Sequence, residues 1–347
     1  MKVITVRNVN SALYEGIKFI QQHGVLVESR NGPALEVQEP VATVYRRPWE
    51  KVLLNADRDA NPFFHLMEAM WILAGREDVR FLTEFNSRMA DYSDNGVTFN
   101  APYGHRMRHH YDHTGFKTDQ IQAVIQVLKD DPSSRQAVIQ IWDTNDLEKT
   151  TKDKACNMSV VFKIRNSHLD MTVYNRSNDM IWGAYGANAV QFAVLQEYVA
   201  AHLGLPIGHY TQITNSYHVY TTGVAGELYE KLKSQVGFNQ GYDFIKADEI
   251  ELIGYSPIGA FDRDLVKFFK LYDLSGLYRL SLEDEWESDY FKKLVSPMLK
   301  VWCYRKFAHD KAEGLTGAIN LALDEIGSAD WKAAAYTWLR VRLEKLV

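Results

Sequence analysis

Apolar and polar residues alternate in two neighbouring stretches near the middle of the chain. In residues 158 to 164 and 169 to 174, apolar side chains recur at every second position, which is the period of a half-buried β-strand. The segment between them, residues 165 to 168, is polar and typical of a tight turn. The pattern therefore predicts an antiparallel hairpin. A turn centred on the middle of that segment places Cys156 opposite Ser177, with Arg176 beside it.

Helical spacing of apolar residues occurs along most of the remaining chain. It predicts helices over residues 11 to 23, 121 to 128, 189 to 203 and 223 to 236. Four more helices are predicted near the C-terminus, over residues 265 to 274, 290 to 307, 315 to 326 and 331 to 346. Residues 136 to 142 and 211 to 213 are strand-like, and residues 143 to 154 are polar enough to predict an exposed loop.

The clearest helix begins at Asn61, where Asn caps, Pro62 occupies the first turn and Gly75 follows the end. Its apolar residues lie nearly all round the helix, a pattern that indicates burial. Glu68 stands in its middle. A buried carboxylate without partners is costly, so Glu68 has either a structural hydrogen bond or a function.

Composition narrows the functional classes. The chain has 347 residues, 46% of them hydrophobic, which is enough to form a large hydrophobic core. Its net charge is −5, so no general affinity for nucleic acid is expected. Its two cysteines, Cys156 and Cys303, indicate a reducing compartment without a disulfide framework. No signal-peptide pattern and no membrane-length apolar run occur. We therefore expect a cytoplasmic protein that does not enter membranes.

Reactive groups converge at one end of the predicted hairpin. Cys156, Arg176 and Ser177 are predicted to lie there, together with side-chain amides. An adjacent Arg favours the thiolate and so lowers the pKa of a thiol. The alternative for an isolated cysteine is a buried structural role. The polar surroundings favour a nucleophile.

These motifs resemble those of the thymidylate synthase superfamily. Its members place a Cys at the start of one strand and Gln-Arg-Ser-x-Asp at the end of the next, and this chain has Asn-Arg-Ser-Asn-Asp at residues 175 to 179. The order continues with Trp182-Gly183, then Asn188, then His218-Val219-Tyr220. The resemblance implies an α/β fold with a large mixed sheet flanked by helices. It covers roughly residues 10 to 257, so we expect a catalytic domain, 1–257, followed by a helical C-terminal extension, 258–347.

The resemblance also assigns catalytic roles. Cys156 would add to C6 of a pyrimidine nucleotide, which makes C5 nucleophilic. Glu68, in a helix similar to the family's His-Glu-Leu-Leu-Trp helix, would relay protons through water. Tyr103 matches the family's Pro-x-Tyr-Gly element, although Pro102-Tyr103-Gly104 lacks the intervening residue. Asn188 would contact the pyrimidine ring.

Binding roles follow from the same resemblance. The family implies a symmetric homodimer in which Arg135 reaches the partner subunit's phosphate, although Gln136 stands where a second Arg is usual. Asp179 would face the pterin of 5,10-methylenetetrahydrofolate. For the early-loop phosphate ligand, Arg30 is the best match, with Arg46 and Arg47 as rivals. The substrate-binding residues implied are Arg30, Arg135, Arg176, Ser177, Asn188, His218 and Tyr220.

Two departures bear on the product. The family segment Trp-Asp-x-Trp, whose first Trp shields the exocyclic-methylene intermediate, aligns with Ala90-Asp91-Tyr92-Ser93. The tail that closes the synthase site is also missing. Because weaker exclusion of water favours hydration, we expect hydroxymethylation rather than methylation. The alternative within the family is thymidylate synthase activity, and outside it a catalytically inactive nucleotide-binding protein.

The base is predicted from the residue at the ring. Uridylate enzymes have Asn there, whereas the related deoxycytidylate hydroxymethylase has Asp, so Asn188 favours dUMP. An Asn amide can flip and match cytosine, and Asn157 replaces the His that follows the nucleophile in synthases. Hydroxymethylation of dCMP or CMP is therefore the alternative.

Overall fold

The computed structural model describes residues 1–111, 115–235, 241–245, 257–307 and 312–343. The strands are β1 Lys2–Val6, β2 Gly24–Val27, β3 Ala34–Val37, β4 Val41–Tyr45, β5 His110–Tyr111, β6 Lys117–Thr118, β7 Val138–Gln140, β8 Asn157–Arg165, β9 His168–Asp179 and β10 Ile207–Tyr220. The helices are α1 Val9–His23, α2 Pro62–Leu73, α3 Val79–Thr83, α4 Tyr103–Arg108, α5 Gln120–Asp130, α6 Asn188–Leu203, α7 Gly223–Lys233, α8 Ile258–Leu280, α9 Ser296–Phe307, α10 Ala312–Asp324 and α11 Ala329–Leu343.

Eight strands form one mixed sheet in the order β1-β4-β10-β9-β8-β7, with β3 also paired to β10 and β2 paired to β3. The long strand β10 runs parallel to β9 on one side. On its other side it is antiparallel first to β4 and then to β3. Helices flank the sheet, which confirms the predicted α/β class.

The predicted hairpin is formed by β8 and β9. Asn166 and Ser167 have φ of 48° and 59°, the left-handed geometry that two-residue hairpin turns favour. The predicted register is confirmed from the turn as far as Ser159 and Tyr174. A bulge between Asn157 and Ser159 then shifts it by one residue. The predicted pairing of Cys156 with Ser177 is therefore wrong, because the Arg176 N–H donates to the Cys156 carbonyl at 2.9 Å.

Helix α2 lies at the centre of the molecule. The Asn61 side chain accepts from the Phe64 N–H as the predicted cap, and Gly75 follows the helix with φ 69°. Every residue of α2 is buried. The helix packs against α6, α9 and α11. It therefore joins the sheet-bearing part of the chain to the C-terminal helices.

The C-terminal helices share one hydrophobic core with the sheet-bearing part. On α2, the Phe63 ring lies 5.5 Å from Trp302 and 5.6 Å from Trp338. Tyr198 of α6 donates to Asp262 at 2.7 Å. Of the last predicted family strand, residues 249 to 257, all but Pro257 lie outside the described residues. The domain boundary at residue 257 stays a prediction. Within the described ranges, no helix combines the length and apolarity needed to span a membrane.

Candidate active site

The site residues meet at one edge of the sheet because of strand direction. Since β9 and β10 are parallel, their carboxyl ends lie together, with Ser216 paired to Ser177 and His218 paired to Asp179. Strand β8 is antiparallel to β9, so it begins at the same edge, directly after Cys156. The fold thus brings together residues that the sequence separates by some sixty positions.

Arg176 is fixed beside the thiol. Its Nη2 lies 3.5 Å from Cys156 Sγ and also donates to the Lys154 carbonyl at 3.0 Å. Its Nε donates to the Ala155 carbonyl at 2.8 Å, and the guanidinium stands 5.7 Å from the Trp142 ring. Backbone and aromatic contacts therefore hold the cation against the sulfur, as predicted.

The pKa of the Cys156 thiol is set by opposing effects of burial and charge. Burial raises the pKa of this thiol above its usual value, and the Asp153 carboxylate raises it further. Arg176 and Arg30 lower the pKa, in the predicted direction, but burial is the larger effect. The predicted effect of Arg176 is therefore present, but burial, which local sequence does not show, outweighs it.

The loop before Cys156 is anchored, although its polar sequence predicts exposure. Asp146 is fully buried and accepts two bonds from Arg106, at 2.6 and 2.8 Å. Asp153 Oδ2 accepts from the Ala101 N–H at 2.7 Å. Asp94 binds Thr151 and accepts from the Lys152 N–H at 3.1 Å. The segment that leads into Cys156 is therefore held by contacts to residues 94 to 106.

Small side chains, Ala90 and Ser93, stand at the two positions that align with the family's tryptophans. Ala90 is exposed at the 3-10 helix Ser87–Tyr92. Ser93 is 4% exposed, but its hydroxyl donates to the Thr98 carbonyl at 2.7 Å and accepts from the Gly96 N–H. Ser93 is thus engaged within its own turn.

Tyr103 begins α4 and lies within electrostatic range of the thiol. Burial raises its pKa well above the usual value, and Cys156 and Asp153 raise it further. Backbone hydrogen bonds from Cys156 and Asn157 act in the opposite direction. Tyr103 is therefore a neutral phenol next to the nucleophile, able to donate or accept a hydrogen bond.

Glu68 is buried in α2, where burial raises its pKa to about 8. A hydrogen bond with Gln191, on α6, lowers it in part. Glu68 Oε2 has no hydrogen-bond partner among the residues that the structure describes. At neutral pH the carboxyl is largely protonated and so holds a transferable proton. Gln191, three residues after Asn188, was missed in the sequence because nothing local links it to α2.

Asn188 stands at the start of α6 within a cluster of buried amides. Its Nδ2 donates to Asn157 Oδ1 and to Asn178 Oδ1, each at 3.2 Å. Asn178 Nδ2 in turn donates to Gln212 Oε1 at 3.2 Å. Asn157 is fully buried, and its Nδ2 has no partner within the described ranges. Sequence reasoning noted Asn157 only as a departure and missed Asn178 and Gln212, which adjoin Asn188 only in three dimensions.

The predicted sugar and phosphate ligands occupy the same region. The Tyr220 hydroxyl accepts from Asn31 at 3.1 Å, and the His218 and Tyr220 rings are 5.2 Å apart. Arg30, next to Asn31, is exposed and influences the Cys156 thiol. The rival Arg47 instead bonds Glu50 at 3.3 Å. Arg30 is therefore close enough to act on the thiol electrostatically, and its role as a phosphate ligand stays a prediction.

Three residues remain to be placed: the predicted ligands Ser177 and Arg135, and Arg46, the other rival of Arg30. Ser177 is half-buried beside Arg176. Arg135 is exposed in the turn before β7, and Arg46 is exposed after β4. The role of Arg135 across a dimer stays a prediction.

Asp179 caps the irregular π-helical segment Met180–Ala187. Its Oδ1 accepts from the Ile181 and Trp182 N–H groups, at 2.8 and 2.7 Å. Its Oδ2 is buried and has no partner in the described part of the chain, and burial raises the pKa of the carboxyl. Arg58, buried nearby, donates to the Ile181 carbonyl at 3.0 Å and lies 4.5 Å from the Trp182 ring, which is 40% exposed. An orphaned acceptor beside an open aromatic face suits a flat, hydrogen-bonding heterocycle.

Comparison with known proteins gives consistent matches. Residues 16–265 match the family model described as Thymidylate synthase. The chain is similar to the deoxyuridylate hydroxymethyltransferase of Pseudomonas phage M6, 38% identical over 349 residues that cover 99% of this chain and 95% of the relative. It is 41% identical over 215 residues to that of Bacillus phage SP01, covering 60% of this chain and 56% of the relative. A putative thymidylate synthase of Methanosarcina acetivorans is 27% identical over 224 residues, covering 63% and 89%.

Proposed function

The chain belongs to the thymidylate synthase family, and we propose that it is a folate-dependent hydroxymethyltransferase acting at C5 of dUMP. The observation that carries the proposal is the placement of Cys156 Sγ 3.5 Å from a fixed Arg176, at the sheet edge where Tyr103 lies close to the thiol. The names of the two viral relatives support both the base and the product.

Cys156 acts as the nucleophile. Its sulfur forms a bond to C6 of the uracil, the C5–C6 double bond is lost, and C5 becomes enolate-like. The pKa of the thiol is raised in the ligand-free protein, so the proton must leave as the nucleotide binds. Arg176 stabilises the thiolate and, with Ser177 and Arg30, holds the phosphate. His218 and Tyr220 hold the sugar hydroxyl.

Glu68 and Tyr103 handle protons. The protonated Glu68 supplies a proton, through water, to the oxygen O4 as charge develops there, and later takes it back. Tyr103 remains neutral and positions the group that removes the proton from C5. Glu68 is buried and Tyr103 is partly buried, so each acts in surroundings where charge stabilisation is stronger than in water.

The residues around Asp179 fit the pterin of 5,10-methylenetetrahydrofolate. The unpartnered Asp179 Oδ2 offers an acceptor for pterin N–H groups, and Trp182 offers an exposed ring for stacking. Methylenetetrahydrofolate supplies a one-carbon unit at the oxidation level of formaldehyde. Asp179 and Trp182 would orient it toward the C5 edge of the base.

Hydration of the methylene is favoured over reduction. Ala90 is exposed, and the Ser93 hydroxyl is engaged with Thr98, so neither side chain covers the intermediate as an indole would. Water then adds to the exocyclic methylene, the sulfur leaves C6, and the double bond returns. The balanced reaction is dUMP plus methylenetetrahydrofolate plus water, giving 5-hydroxymethyl-dUMP plus tetrahydrofolate. No hydride is transferred, so folate is not oxidised.

We further propose that the enzyme is a symmetric homodimer. Arg135 is exposed in the turn before β7, and the family relationship implies that it reaches the partner's phosphate. A C2 interface presents the same patch on both subunits, so both sites would gain one cation.

Release of tritium from 5-tritiated dUMP tests the proposed function. Release should require methylenetetrahydrofolate, and absorbance of dihydrofolate should not rise. Cys156→Ser should abolish release while it leaves nucleotide binding largely intact. Stoichiometric dihydrofolate would identify a methylating thymidylate synthase instead, and absence of tritium release from any pyrimidine nucleotide would favour an inactive binding protein.

A further inference from the structure

A chain of buried amides runs from Asn188 to a backbone carbonyl. Gln212 Nε2 donates to the Ala184 carbonyl at 3.0 Å, and Gln212 Oε1 accepts from Asn178 Nδ2 at 3.2 Å. Asn178 Oδ1 then accepts from Asn188 Nδ2. All three amide side chains are at most 9% exposed. We call Gln212, Asn178 and Asn188 the amide relay.

The direction of the amide relay is fixed at its far end. A backbone carbonyl can only accept, so the Gln212 atom that faces the Ala184 oxygen must be nitrogen. The Tyr45 hydroxyl adds to the anchor, because it also donates to that carbonyl, at 2.9 Å. Gln212 must then present oxygen to Asn178, and Asn178 must present oxygen to Asn188. The orientation of each amide in the relay therefore fixes the orientation of the next, so that nitrogen and oxygen can be assigned without ambiguity.

At the near end of the relay, the orientation of the Asn188 amide is fixed. One of its amide protons is bound by Asn178 and the other by Asn157. Only its oxygen remains for a ligand. Asn157 meanwhile uses its oxygen to accept from Asn188, which leaves its Nδ2 as a buried donor without a partner in the described part of the chain. Asn188 Oδ1 and Asn157 Nδ2 therefore form one acceptor and one donor, on side chains that contact each other.

We infer that the amide relay selects uracil over cytosine by setting the polarity of Asn188 and Asn157. This inference rests on the proposed function. Uracil presents an N3–H donor beside the O4 acceptor, which match Asn188 Oδ1 and Asn157 Nδ2. Cytosine presents an N3 acceptor beside an N4 donor and mismatches both. Reversing the amides would read cytosine, so Gln212 and Asn178 are positioning residues for specificity.

Gly183 packs closely against the middle residue of the relay, Asn178. A Cβ on Gly183 would stand 2.0 Å from Asn178 Oδ1, so a side chain there would displace the middle of the relay. Gly183 therefore provides the space that the relay needs.

The test compares binding of dUMP and dCMP by calorimetry, without folate, in wild type, Gln212→Leu and Asn178→Ala. Wild type should prefer dUMP. Both variants should reduce the ratio of dCMP to dUMP dissociation constants by about tenfold or more, since unanchored amides can turn to suit either base. Gln196→Leu is the matched control. Gln196 is fully buried and bonds the Leu169 carbonyl at 2.8 Å, but it lies outside the relay, so its loss should cost stability and leave the ratio unchanged.

The outcomes separate the relay from the proposed function. A wild-type preference for dUMP that both variants retain would overturn the relay while leaving the function intact. If wild type binds neither nucleotide, or prefers dCMP, the proposed function fails first. Should Gln212→Leu fail to fold, Asn178→Ala decides, because it shortens the relay next to Asn188 without disturbing the anchor at Ala184.

Discussion

Arg176 Nη2 lies 3.5 Å from Cys156 Sγ, while the same guanidinium is held by the carbonyls of Lys154 and Ala155. The cation is therefore placed by the strand end that carries the nucleophile. Its lowering effect on the thiol pKa is opposed by burial. Burial and the arginine therefore act in opposite directions on the pKa of the same thiol.

Replacing Arg176 should raise the pKa of Cys156 further, because the main opposing charge is lost. In Arg176→Gln, the pH midpoint for alkylation of Cys156 should move upward, measured by mass spectrometry of the modified peptide. Arg165→Gln, on the exposed hairpin turn, is the control and should leave the midpoint unchanged. An unchanged midpoint in Arg176→Gln would mean that the arginine does not act on the sulfur.

Glu68 should make stability depend on pH. Its pKa is raised by burial from 4.5 to about 8, so the folded state binds the proton more tightly than the unfolded state. The stabilisation is fully present below about pH 4.5 and is lost as pH rises through about 8. Relative to Glu68→Gln, wild type should lose up to about 1.4 kcal/mol per pH unit in that window.

Thermal unfolding of both proteins across this range measures the effect as a difference in Tm. Glu28→Gln, at an exposed position, is the control for loss of one carboxylate. A difference between wild type and Glu68→Gln that stays constant with pH would show that Glu68 is ionised in the folded protein.

Asp179→Asn should separate folate binding from folding. The amide oxygen can still accept from the Ile181 and Trp182 N–H groups, so the cap and the Tm should be largely retained. The second carboxylate oxygen is replaced by a donor, which mismatches pterin N–H groups. The KM for methylenetetrahydrofolate should rise by about tenfold or more, with the Kd for dUMP nearly unchanged. Equal weakening of both ligands would assign Asp179 a structural role.

Mixed dimers test the position of Arg135. Cys156→Ser and Arg135→Ala homodimers should each have low activity. If Arg135 serves the partner's site, a heterodimer of the two variants contains one intact site, and mixing after reversible dissociation should restore activity. If Arg135 serves its own subunit, no intact site can form, and mixing should restore nothing.

Local sequence predicted the parts of the fold that depend on local physics. The Asn61 cap, the buried α2 helix and the hairpin turn at Asn166 all follow from residue type and periodicity. The bulge after Asn157 could not be predicted, because one added residue leaves the alternation from Ser159 onward unchanged.

The residues of the candidate site could be proposed from the sequence, but the pKa values of their side chains could not. The resemblance identified Cys156 and Asn188, but the raised pKa of the thiol depends on packing from distant segments. The amide relay was invisible for the same reason. Gln212 lies on β10, far along the chain from Asn178 on β9, and nothing in the local sequence shows that their side chains form a hydrogen bond.

The account's central claim is that water captures the one-carbon unit on dUMP. The most direct measurement is the mass of the product formed from dUMP and methylenetetrahydrofolate in water enriched in heavy oxygen. We predict a 5-hydroxymethyl nucleotide that carries the heavy oxygen, with tetrahydrofolate as the other product. A methylated nucleotide without added oxygen, formed together with dihydrofolate, would contradict the account.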